Sequence, residues 1–118
     1  MPFALVRRPG PRLAEGIVTH LERTPVDQEL ALAQWESYAA ALRSAGWETI
    51  EVPPADDCPD AVFVEDAVVV YGDLAVITRP GAVERRPETK CVERTVREVG
   101  YRVARICQPG TLDGGDVL

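Results

Sequence analysis

Short apolar runs alternate with longer mixed stretches along the 118 residues. Ala4-Leu5-Val6 is a short strand candidate, and Glu48 to Val52 alternates polar and apolar positions as a half-buried strand does. Val68 to Tyr71 and Leu74 to Thr78 form a predicted hairpin around Gly72-Asp73. Between these strands lie two stretches of helical period. Thr24-Pro25 is the expected cap and first position of the first helix, with Asp27 in its first turn. Leu30, Tyr38, Ala41, Leu42 and Ala45 are its expected apolar stripe, and Gly46 its stop. The second helix is expected to open near Pro87-Glu88, to carry Val92, Thr95, Val96 and Val99, and to end at Gly100. A shorter helical stretch is expected over Leu13 to Leu21.

The pattern repeats. Ala4-Leu5-Val6-Arg7-Arg8-Pro9-Gly10 returns as Ala75-Val76-Ile77-Thr78-Arg79-Pro80-Gly81. After each helix comes Gly, an aromatic residue and an alternating strand: Gly46-Trp47 into Glu48 to Val52, and Gly100-Tyr101 into Arg102 to Ile106. A third echo links Glu65-Asp66-Ala67-Val68-Val69 with Gly115-Asp116-Val117-Leu118. Each copy thus runs strand, Arg-Pro-Gly turn, helix, strand, then an acidic turn into a further apolar strand. Recurrence of a whole supersecondary unit points to a propeller or other repeat architecture.

Candidate chemistry concentrates in Asp60-Ala61-Val62-Phe63-Val64-Glu65-Asp66, where three carboxylates stand beside an apolar strand. An extended segment would turn Asp60 and Asp66 to one side and Phe63 and Glu65 to the other. Carboxylates beside a core need compensation, and a guanidinium with its planar set of donors supplies it. The plainer alternative is a solvated acidic loop. Net charge of −6 argues against nucleic acid or an anionic membrane as partner and allows a cationic ligand. No apolar run approaches a membrane span, and the start of the chain lacks the order of a signal peptide. Cys58, Cys91 and Cys107 are odd in number and without C-x-x-C spacing, so no disulfide framework or zinc site is expected, and a reducing cytoplasm is.

With Arg8-Pro9, Pro59-Asp60-Ala61-Val62-Phe63-Val64-Glu65-Asp66, Ile77-Thr78-Arg79-Pro80-Gly81-Ala82, Arg85-Arg86 and Leu112-Asp113-Gly114-Gly115-Asp116-Val117-Leu118, the chain resembles the dimethylarginine dimethylaminohydrolase family. That family lies within the guanidine-modifying, amidinotransferase-like superfamily, and the resemblance covers the amino-terminal part of its members. It implies an α/β fold: residues 1–118 as about two ββαβ blades of a five-bladed α/β propeller (pentein), the rest of the domain lying outside this chain.

The resemblance also implies roles. Asp60, Glu65 and Asp66 match carboxylates that hold the substrate's guanidinium, and Phe63 matches the wall against its flat face. Arg85 matches the arginine that grips the amino-acid carboxylate. Ile17 aligns with a lid position often occupied by Leu, and Asp113 with the acid that orients the catalytic histidine. That histidine and the cysteine nucleophile follow the matched segment in the family. His20 is therefore expected in a surface or packing role, and no cysteine here has a base nearby in sequence. The implied reaction of the complete enzyme is hydrolysis of Nω-methylated arginine to citrulline and a methylamine, without metal or cofactor. Two alternatives stay open: a non-catalytic module that binds arginine-like ligands, and a related arginine or agmatine deiminase. A strand over Leu112 to Leu118 would leave an edge inviting self-association.

Overall fold

The computed structural model describes residues 2–15 and 26–118. Ile17, His20, Thr24 and Pro25 lie outside the described residues. The chain forms two compact units, Met1–Val62 and Phe63–Leu118.

In the first unit, β1 (Phe3–Val6) pairs in parallel with β2 (Glu48–Glu51), with Val6 opposite Glu51. Parallel neighbours need a crossover, and α1 (Gln28–Ser44) supplies it. The helix is capped one turn later than expected. Asp27, not Thr24, is the cap, and its side chain accepts the Leu30 N–H at 3.0 Å. The expected stripe is also out of phase. Leu32, Trp35, Ala39 and Leu42 line the protected face, whereas Leu30 and Tyr38 are more than half exposed and Ala41 and Ala45 face solvent. On that face the Arg8 guanidinium stands 5.2 Å from the Trp35 ring while bonding Glu51 through Nε at 2.5 Å. Gly46, at φ +94°, takes the left-handed position after the helix, as expected.

The second unit holds the hairpin as forecast. β3 (Val68–Tyr71) runs antiparallel to β4 (Leu74–Ile77), with Gly72 at φ +60° in the turn. A 3-10 turn over Val83–Glu88 leads into α2 (Thr89–Val99), and β5 (Arg102–Arg105) returns parallel to β4. The sheet order is β3-β4-β5. Val92, Thr95 and Val96 are buried where α2 packs on these strands, and Gly100 closes the helix at φ +110°. This is one complete ββαβ unit. The first unit contributes the βαβ part of another, so the repeat read from sequence is present in the secondary structure.

Two expectations fail around the acidic segments. Residues 59–67 are not extended; they turn, and Val64–Asp66 coils into a 3-10 turn. The Ala67 N–H donates to the Val64 carbonyl at 2.9 Å, so strict alternation of Asp60 to Asp66 is lost. Likewise Leu112 to Leu118 forms no strand. Leu112 makes one antiparallel bridge to Arg79, and Gly114–Asp116 coils into a second 3-10 turn. The edge that would have invited self-association is therefore not built. No described helix is long and apolar enough to cross a membrane.

The two 3-10 turns lie against each other. Gly114 sits where a Cβ would strike the Glu65 carbonyl oxygen and approach Val69 Cγ2 at 3.2 Å. Its φ is not positive, so the requirement is space rather than backbone freedom. Gly114→Ala is expected to destabilise the protein by about 1–3 kcal/mol, the range of overpacking against backbone that cannot yield. Chemical denaturation of the variant and the parent checks this, with Gly81→Ala as the comparison, because a Cβ at Gly81 would meet nothing closer than 3.6 Å. Equal stability of the Gly114 variant and the parent would refute the steric account.

Candidate functional site

The segment Phe63 to Asp66 opens the second unit. Phe63 is 44% exposed, and its carbonyl accepts the Asp66 N–H at 3.0 Å. Glu65 points outward from the turn and is exposed, while Asp66 is half-buried. Asp60 is buried at 8% exposure and belongs to the first unit. Within the second unit the residues that meet are Asp66, Arg85, Glu88 and the glycines after Asp113.

Asp66 is the centre of this group. Its Oδ1 accepts the Gly115 N–H at 2.9 Å, and its Oδ2 accepts from Arg85 Nη1 at 3.1 Å. Its main-chain carbonyl accepts the Thr78 hydroxyl at 2.7 Å, which ties the turn to the end of β4. A Cβ on Gly115 would collide with Asp66 Oδ1, so this bond also depends on glycine. An ionised carboxylate offers about four acceptor directions, and these two donors leave Asp66 capacity for more.

Arg85 lies in the 3-10 turn before α2, with its side chain only 13% exposed. Glu88, three residues on and buried, accepts from Nε and Nη2 of Arg85, each at 3.0 Å. This is fork-to-fork pairing, the strongest geometry open to the two side chains. Burial draws the Arg85 pKa down; hydrogen bonding and charge from Glu88, then from Asp66, outweigh it and raise the pKa above its ordinary value. Arg85 is thus a fixed cation at any pH the protein meets. Glu88 escaped the reading of the sequence. Its signal was present as an Arg-x-x-Glu spacing at a helix start, which puts the two side chains on one face.

Asp113 precedes the Gly114–Asp116 turn in extended conformation, and its carbonyl accepts the Asp116 N–H at 3.0 Å. Its carboxylate lies near Gly81, 3.6 Å from where a Cβ would stand. Cys58 is buried, Cys91 half-buried and Cys107 exposed, and none of them forms a disulfide. Among the described residues no group of three or more His, Cys, Asp or Glu side chains could hold a metal ion.

No family model matches the chain. Curated relatives do. The chain is 65% identical over 115 residues to N(G),N(G)-dimethylarginine dimethylaminohydrolase of Streptomyces coelicolor, a match covering 98% of this chain and 45% of the relative. It is 40% identical over 116 residues to the enzyme of the same name from Pseudomonas aeruginosa, covering 97% and 45%. Among solved structures, a mutant dimethylarginine dimethylaminohydrolase from Pseudomonas aeruginosa complexed with citrulline superposes with a TM-score of 0.88 at 38% identity, over 98% of this chain and 46% of that one. The amino-terminal domain of a cyanobacterial arginine dihydrolase shares the fold alone, with a TM-score of 0.81 at 24% identity over 93% and 41%. The chain therefore spans less than half the length of the curated relatives it matches. Sequence identity over nearly all of its residues, and a backbone that follows theirs, make this chain similar along its whole length to part of the dimethylarginine dimethylaminohydrolases.

Proposed function

We propose that this chain carries the guanidinium-binding part of a hydrolase that converts Nω-methylated arginines to citrulline and a methylamine. The carrying observation is the Asp66 carboxylate, held from behind by a backbone N–H and already accepting a guanidinium N–H from Arg85. A side chain so placed suits a substrate guanidinium through its remaining acceptor directions. Each such charge-assisted bond contributes about 1.5–3 kcal/mol. Asp60 and Glu65 are assigned to the same ligand group, Phe63 to its flat face, Ile17 to the lid and Arg85 to the α-carboxylate. Glu88 fixes the plane of the Arg85 fork, and a substrate carboxylate would compete with Asp66 for its Nη1 edge.

In this reading the carboxylates keep the guanidinium cationic, and so electrophilic at its central carbon. A cysteine thiolate attacks that carbon, the methylamine leaves with a proton from a histidine, and water hydrolyses the covalent adduct. Asp113 orients that histidine. Thiolate and histidine are assigned to the remaining blades of a five-bladed propeller, of which residues 1–118 form a part. The ligand is a small cation, which net charge of −6 favours over nucleic acid or an anionic membrane. Three cysteines without a disulfide fit a cytoplasmic setting.

Three outcomes test the proposal. Residues 1–118 alone are expected to release no citrulline from dimethylarginine, while the product of the whole reading frame releases it faster than it converts arginine or agmatine. A preference for arginine or agmatine would move the protein to the deiminases.

In that whole protein, Asp66→Ala should lower kcat/KM at least about tenfold, the loss of one charged hydrogen bond. Asp73→Ala should change it little, because Asp73 is exposed and paired only with Arg102, at 2.9 Å. Equal effects at both positions would remove Asp66 from the site.

Arg85→Ala should raise KM for dimethylarginine about tenfold or more, and leave KM for its decarboxylated analogue much less changed. Parallel rises for both ligands would show that Arg85 serves the fold and not the carboxylate.

A further inference from the structure

A second cavity, of about 260 Å³, lies in the unit Phe63–Leu118 and includes none of Asp66, Arg85 or Asp113 among its lining residues. Its floor is the carboxyl ends of the parallel strands β4 and β5, from Ile77 to Arg79 and at Arg105-Ile106. Its roof is one face at the start of α2, where Arg86, Thr89, Lys90 and Glu93 follow at helical spacing. The place where parallel strands end beneath the crossover helix is the usual ligand crevice of open α/β sheets.

Charge makes this cavity unusual. The protein has 19 acidic and 13 basic residues, yet Arg79, Arg86, Lys90 and Arg105 line this one space with Glu93 as the single acid. Glu93 is bound to Arg105, its Oε2 accepting from Nη2 at 2.6 Å, and it also pairs with Arg97. The other three cations have no carboxylate partner among the described residues. Arg79 Nη1 donates to the Gly110 carbonyl at 3.1 Å and Arg86 Nε to the Pro80 carbonyl at 2.9 Å. These neutral acceptors anchor one edge of each guanidinium and leave its charge uncompensated. Arg79 and Arg86 are themselves half-buried, where an unbalanced charge costs more than at the open surface.

We propose that this cavity is a binding site for a phosphate group, either inorganic phosphate or the phosphate of a small monoester, held chiefly by Arg86, Lys90 and Arg79. Anchored guanidiniums offer paired N–H donors to phosphate oxygens, and the lysine adds a mobile third charge. Four cations against one acid leave enough positive charge to balance a phosphate dianion, and the volume admits one small ligand. The site stands independently of the proposed hydrolase reaction.

Calorimetric titration of the purified chain with inorganic phosphate and with ribose 5-phosphate, at ionic strength fixed by potassium chloride, tests it. Saturable one-to-one binding of either ligand is expected; tighter binding of inorganic phosphate identifies the free ion as the ligand, and tighter binding of ribose 5-phosphate the monoester. Arg86→Gln and Lys90→Gln should each weaken binding about tenfold, and Arg94→Gln, an exposed arginine of the same helix outside the cavity, should leave it unchanged. Lys90 is exposed and its side chain makes no hydrogen bond among the described residues, so its variant remains informative if the Arg86 variant unfolds. No saturable heat beyond the chloride control, or equal weakening by Arg94→Gln and Lys90→Gln, would overturn the proposal.

Discussion

The second unit depends on one carboxylate. Asp66 takes the Gly115 N–H on one oxygen and Arg85 on the other, and so joins three segments far apart in sequence. Two of them, the turns Val64–Asp66 and Gly114–Asp116, are short and coiled and bury little apolar surface. They hold together because Gly114 lets the Glu65 carbonyl approach and Gly115 lets its own N–H reach the acid. The third segment, the turn before α2, is fixed through the bidentate bond of Arg85 to buried Glu88. Removing Asp66 would strip the Gly115 N–H of its acceptor and leave Arg85 held by Glu88 alone, so the link between the three segments would be lost.

The same chain shows how context sets the weight of an ion pair. Arg102 and Asp73 meet at 2.9 Å with about 70% of each side chain exposed, and Arg12 pairs with Glu15 in the open at 3.0 Å. The pKa of Asp73 is lowered by hydrogen bonding to Arg102, but solvent and salt screen such pairs and they add little to stability. Arg85 and Glu88 are shielded from that screening, so their geometry is enforced. Arg8 is intermediate in kind. It is exposed, yet held between Glu51 and the face of Trp35.

Both copies of the strand–turn–helix–strand unit use the Arg-Pro-Gly step in the same way. Pro9, Gly10 and Pro80 are buried, and each step redirects the chain from a strand into a 3-10 turn before the helix. Proline holds φ and lacks a donor, so a buried turn there leaves one N–H fewer to satisfy. The position before the shared arginine differs: Arg7 is buried and donates to the Pro53 carbonyl at 3.0 Å, while its counterpart Thr78 donates its hydroxyl to the Asp66 carbonyl. A shared frame thus carries a contact to the Pro53 carbonyl in one copy and a contact to the Asp66 carbonyl in the other.

Local chemistry in the sequence determined the strands, the hairpin at Gly72, the left-handed stops at Gly46 and Gly100, and the repeat that sets the fold class. Each rests on near neighbours: alternation, period, or a glycine at a helix end. The family and its candidate carboxylates were legible for the same reason, as contiguous motifs. Tertiary structure alone decided the rest. The turn ending at Asp66 is held by the Thr78 hydroxyl and the Gly115 N–H, and the turn after Asp113 lies where Gly114 meets Glu65, a contact between residues 49 apart. The face of α1 that is buried was set by its packing on the strands, and the fork of Arg85 by Glu88 and Asp66 together. Periodicity reports which residues can share a face; which face is buried, and which acid meets which cation, depends on partners that only folding brings near.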